Sequence, residues 1–126
     1  MSLPKVLSAH REGSVLVIAP QGSVSSLAAA ILQPELDELL ERLETEGVTS
    51  VVFDLGEVSY FGSLMLAAMH AVWKRIRAAG GKMALSNVSD LGHDILRIAR
   101  FDQLWPTYPS RDEALAAVAV TPQRPM

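Results

Sequence analysis

Apolar residues follow two rhythms along this chain: short unbroken runs, and longer stretches that recur every three or four positions. Val6–Ala9 and Val15–Ala19 are runs of the first kind, and His10-Arg11-Glu12-Gly13 between them predicts a hairpin turning at a glycine. Pro20-Gln21-Gly22-Ser23 closes the second run. Ser25 or Ser26 is placed to cap a turn through Ala28-Ala29-Ala30, which Pro34 should interrupt, since proline suits a first helical position or a kink. From Glu35, Leu36, Leu39, Leu40 and Leu43 recur at helical spacing until Gly47. Ser50-Val51-Val52-Phe53 has no alternation, the mark of a strand buried on both faces.

A long apolar helix is expected from Ser63 to Ala79, stopped by Gly80-Gly81. Lys82-Met83-Ala84-Leu85-Ser86 predicts another strand, and Ser89 is placed to cap a helix carrying Leu91, Ile95 and Ile98 at helical spacing. Leu104-Trp105-Pro106-Thr107-Tyr108 reads as a last extended piece, its proline favouring a sheet edge. Ser110-Arg111-Asp112-Glu113 has the form of a capping box before Ala114, Leu115 and Val118. Thr121–Met126 reads as a disordered tail. The order β-β-α-β-α-β-α-β-α defines an α/β domain of four to five strands and about four helices, spanning residues 4–120. Its sheet should be mostly parallel, with right-handed crossovers and an antiparallel opening hairpin.

On the helix after Ser63 the residues divide by face. Ser63, Ala67, His70, Lys74 and Arg77 share one stripe, while Met65, Ala68, Met69, Val72 and Ile76 lie opposite, toward the sheet. The buried methionines are expected as core filler. Leu64 and Leu66 flank the serine, giving the polar stripe an apolar rim suited to docking. Trp73 is expected to pack on a neighbouring helix.

Composition narrows the chemistry. With 49% apolar residues and no uninterrupted run long enough for a bilayer, no membrane insertion is expected. Neither a basic leader nor a cysteine is present, which fits a cytoplasmic address. The net charge of −3, with both signs interspersed, argues against nucleic acid. His10 and His93 have no partner at ligand spacing, so no metal and no cofactor is expected. Nor is an enzyme: Ser63 and His70 stand seven residues apart on one helix, roughly 10 Å along its axis, too far for a base to hold its nucleophile. His70 is read as surface polar, Arg97 and Arg100 as outward-facing, and Asp54 as fixing the loop after its strand by accepting N–H bonds. What remains is Ser63 itself, at the strand-to-helix junction. A phosphate there would meet first-turn N–H groups and the positive end of the helix dipole. The plainer alternative makes Ser63 an N-cap contributing about 1 kcal/mol.

Val51-Val52-Phe53-Asp54-Leu55, then Val58, Phe61-Gly62-Ser63, the apolar helix, Ala79-Gly80-Gly81 and Leu85-Ser86-Asn87-Val88-Ser89 together resemble a STAS domain of the anti-sigma-factor antagonist family. Ile95–Leu104 and Glu113-Ala114-Leu115 fit as well, so the likeness runs from about Val6 to Val118. The resemblance implies a STAS-type sandwich and a regulatory module that binds an anti-sigma factor or serine kinase, with a phosphatase as a further partner. The module would be a monomer or weak dimer. It implies Ser63 as phosphoacceptor, with Gly62, Leu64, Leu66, Ala67, His70 and Lys74 as partner-binding candidates. That serine is usually preceded by Asp and followed by Ser or Thr and then Gly; Gly62, Leu64 and Met65 stand there instead. The lost Gly is expected to limit how closely a partner backbone approaches. Arg100 replaces a commonly small residue and is a candidate partner contact. Other relatives imply an alternative, a constitutive adaptor of a transporter or signalling complex without phosphorylation. A nucleotide site has no supporting Gly-rich motif.

Overall fold

A computed structural model of the chain describes residues 7–21, 29–58 and 61–119, with side chains from residue 32 onward in the first helix. Val6, the Ser25 or Ser26 cap and the tail from Thr121 lie outside these residues. Five strands form one mixed sheet in the order β1 (Leu7–Glu12), β2 (Val15–Pro20), β3 (Ser50–Asp54), β4 (Met83–Ser86) and β5 (Thr107–Tyr108). The first pair is antiparallel and the rest are parallel, as the alternation of runs predicts. The connecting helices are α1 (Ala29–Thr45), α2 (Ser63–Ala78) and α3 (Asp90–Ile98), with α4 (Arg111–Ala119) after β5.

Strand order equals chain order, and each crossover steps in the same direction. Right-handed crossovers of that kind lay their helices on one face. There Leu16, Ile18, Val51, Phe53 and Leu85 form the main core with Leu36, Leu39, Met65, Met69, Val72, Ile76 and Leu96 from the helices. The opposite face carries Val15, Val52 and Ala84 beneath Ala114 and Val118 of α4. Strand β3 is buried throughout, sandwiched between both layers.

Several boundaries differ from expectation. The hairpin is tighter, because β1 runs through Glu12 and pairs with Val15 around Gly13-Ser14. Pro34 lies inside α1 rather than breaking it. Its ring is exposed, and the leucines from Leu36 onward hold the helix to the core, outweighing one missing ladder bond. Leu104 and Trp105 are not in a strand: β5 begins at Thr107, while Trp105 is fully buried and stacks on Phe101 at 4.5 Å. Pro106 still serves the edge, its carbonyl accepting from the Leu85 N–H at 2.9 Å. The predicted apolar stripe of α3 is only partly its inner face: Ile95 packs half-buried against the core, but Ile98 is 79% exposed and Leu91 is exposed too, whereas Gly92 and Leu96 are buried. The cause is Gly92, whose Cβ position stands 3.2 Å from the Phe61 ring, so the helix approaches by its residue without a side chain.

The Ser89 cap and the Ser110 cap form as predicted, through Gly92 N–H at 2.9 Å and Glu113 N–H at 3.2 Å. Helices α2 and α3 both end in a Schellman motif. In α2, Gly80 N–H reaches the Arg77 carbonyl and Gly81 N–H that of Ile76; in α3, Arg100 and Phe101 do the same to Arg97 and Leu96. Arg100 therefore holds φ +66°, the left-handed conformation that glycine adopts without strain. The position favours glycine for a backbone reason, so Arg100 stands there at a conformational cost. Arg100→Gly is expected to stabilise the protein by about 1 kcal/mol. Urea unfolding at equilibrium reads this directly, and a variant no more stable than the parent would refute the strain.

Candidate functional site

The junction between β3 and α2 is built from its strand outward. Asp54 ends β3 and is only 7% exposed. Its Oδ1 accepts from the Gly56 N–H at 3.0 Å, the turn role predicted for it, and from the Asn87 side-chain amide at 3.1 Å. Its Oδ2 accepts from Arg111 Nε at 2.7 Å. Burial alone would raise the Asp54 pKa, yet the bonds from Asn87, Gly56 and Arg111 together hold it below the usual carboxylate value. Arg111 is the first residue of α4, so this carboxylate ties the loop before Ser63 to the helix on the far face. Phe61, buried against α3 at Gly92, is the second anchor of the loop.

Ser63 is exposed at the first residue of α2, and its hydroxyl makes no hydrogen bond to a described residue. The N-cap is Gly62, in extended conformation and with no side-chain acceptor to offer. The reading of Ser63 as the cap is thereby corrected: it lies one residue inside the helix, where its hydroxyl is not needed to close the first turn. No carboxylate occupies that turn. Its N–H groups and its dipole are free of an acidic side chain from α2 itself, the environment a phosphate on Ser63 would enter.

The predicted stripe divides as expected. Met65, Ala68, Met69, Val72 and Ile76 are buried, while Ala67, Lys74 and Arg77 are exposed with Ser63. Leu64 is 41% exposed beside the serine, but Leu66 is half-buried against the core and offers only part of its surface. Met65 is fully buried, so the side chain standing where relatives have glycine points inward and does not shield the surface. That corrects the expectation that it limits a partner's approach. His70 is more than surface polar: half-buried, it lies 5.4 Å from the Trp73 ring and 5.6 Å from Phe101. Trp73 packs partly on the core, and the Arg77 guanidinium lies 5.2 Å from its ring centroid. Sequence reasoning missed Phe101, Trp105 and Arg111 around this site; the aromatic spacing Phe101-x-x-x-Trp105 after a helix was the available signal.

This fold, with an exposed serine opening the helix after its central strand, defines a class. The STAS domain family model matches residues 7–114, and the chain belongs to that family. It is 29% identical to the candidate anti-sigma factor antagonist BtrV of Bordetella bronchiseptica, over 88% of this chain and 92% of that protein. An anti-sigma-factor antagonist (STAS) domain protein from Planctomyces limnophilus is 28% identical, with TM-score 0.77 over 90% of this chain and 98% of that one. The unphosphorylated anti-sigma factor antagonist SpoIIAA, a Bacillus cell fate determinant also solved phosphorylated, shares the fold at TM-score 0.75 and 11% identity, over 91% of this chain and 98% of its own. No helix among the described residues is long and apolar enough to cross a membrane.

Proposed function

We propose that this chain is a cytoplasmic regulatory binding module of the anti-sigma-factor antagonist type, acting by association rather than catalysis. It binds a serine kinase or anti-sigma factor through the amino-terminal half of α2, and phosphorylation of Ser63 releases it. The observation that carries this reading is the exposed Ser63 hydroxyl, which bonds to no described residue, inside a first turn that holds no carboxylate. A phosphate there adds about −1.5 to −2 charges at a helix end that tolerates them. At a partner's interface the same charge is desolvated and repels acidic groups, so the switch acts on binding and leaves the fold intact. Family membership, the likeness to BtrV, and a relative known in both unphosphorylated and phosphorylated forms support it. A phosphatase would reset the cycle.

The test is incubation of the full chain with a serine kinase of the anti-sigma class and magnesium ATP. One phosphate is expected on the parent and none on Ser63→Ala. The phosphorylated chain should bind the kinase at least tenfold more weakly, with no change in its circular dichroism. A second reading, a constitutive adaptor, is favoured by the exposed apolar Leu64 where relatives carry a hydroxyl. Binding to the partner with no phosphate incorporated would select it.

A further inference from the structure

The sixteen residues of α2 include none of the chain's 14 acids, yet they hold Lys74, Arg75 and Arg77 in a protein of net charge −3. Arg75 is occupied, paired with Glu44 and reaching the Leu40 carbonyl on α1. Lys74 and Arg77 have no acidic partner among the described residues, and both are exposed. The Arg77 guanidinium lies over the half-buried Trp73 indole. That contact holds the planar group in place while its N–H edges remain open to a carboxylate. Two open depressions run along either side of the His70, Lys74 and Ala78 line, one reaching α1 at Leu40 and the other Trp73 and Arg77. Unpaired cations beside apolar seats present a complement for a segment that alternates carboxylates with apolar side chains.

Cations at a helix carboxyl end also answer the helix dipole. That explains Arg75 and Arg77 in the last turn. It does not explain Lys74, which lies before that turn, nor an indole left half-open beside two unpaired charges. Nucleic acid fits less well, because two free cations on a net acidic chain are few for a phosphodiester backbone.

We infer that the carboxyl-terminal half of α2, centred on Trp73, Lys74 and Arg77, docks an acidic segment of a partner protein. This rests on the reading of α2 as the partner surface and gives that partner its chemistry. Ser63 and Lys74 share one stripe, eleven residues or roughly 16 Å apart. A partner lying along it would place carboxylates on Lys74 and Arg77 and meet the Ser63 phosphate as a like charge.

The probe is a short synthetic peptide alternating Glu and Leu, titrated into the isotope-labelled full chain and followed by NMR. The Trp73 indole and the Lys74 and Arg77 amides are expected to shift. Affinity should fall about tenfold in the Lys74→Gln/Arg77→Gln variant, the loss of two exposed ion pairs. It should fall likewise on raising salt with the parent chain, a readout that needs no variant. Equal binding of the peptide with Gln for Glu would overturn the inference. So would shifts confined to other surfaces, or stronger binding of a single-stranded RNA or of phosphatidylglycerol vesicles. The two readings fail separately: a kinase that leaves Ser63 unmodified removes the switch but not the peptide shifts. Loss of those shifts with Ser63 still phosphorylated removes only the acidic dock.

Discussion

Gly81→Ala is expected to lower stability by about 3 kcal/mol, among the largest losses from adding one methyl group. A Cβ on Gly81 would stand 1.5 Å from the Thr49 carbonyl oxygen and 2.7 Å from its carbon, so backbone rather than a side chain must move. Thr49 is not free to yield. Its N–H donates to the Ser14 carbonyl at 3.0 Å, and the next strand begins at Ser50, where β3 enters the sheet beside β2. Relief therefore requires shifting the strand entry or opening the Schellman closure that Gly81 makes to Ile76. Gly80→Ala is the control. That position has φ +84° and nothing near its Cβ, so only left-handed strain of about 1 kcal/mol is expected. Urea denaturation should rank Gly81→Ala well below Gly80→Ala; the reverse order would contradict the close approach.

The second large effect is expected at Asp54. Asp54→Ala should cost about 2–3 kcal/mol, because it strips the acceptor from the Gly56 N–H, the Asn87 amide and Arg111 at once. The pH dependence follows from the lowered pKa. A carboxylate depressed in the folded state contributes its stability in full above its unfolded pKa, about 3.9. That contribution is lost as pH falls through the folded value. The parent should therefore lose stability on acidification below about pH 4, with a steeper slope than Asp54→Asn. Parallel slopes for the two proteins would show that the three bonds do not depress Asp54. Because Gly56 opens the loop that leads to Phe61 and Ser63, the same variant should also weaken partner binding.

These two sites show what a sequence does and does not disclose. The faces of α2 were legible residue by residue, because a helix lying on a sheet obeys one periodicity and Met65, Met69, Val72 and Ile76 satisfy it. The exposure of Ser63 followed from the same wheel. In α3 the rule held only in part: of the predicted stripe Ile95 packs on the core while Leu91 and Ile98 face out, and the close approach is made at Gly92, which has no side chain. Pro34 misled in a similar way, since local cost was outweighed by leucines further along α1. Asp54 was half legible. Its turn bond lies within two residues, but Arg111 is 57 positions away and no local pattern brings them together. The resemblance to a family supplied the site; the burial of Met65 and the bare Gly62 cap required coordinates.

The sheet grows strand by strand in one direction, with the first three helices on the same side. During synthesis, a chain that has already delivered its first four strands still leaves Val15, Val52 and Ala84 bare to water. Among the described residues, Ala114, Leu115 and Val118 of α4 roof them together with Tyr108. Helix α4 thus closes the back of the sheet after its first four strands have been made, and through Arg111 it also sets the Asp54 clamp. Until then, a nascent chain carries an adhesive surface and a loose serine loop together.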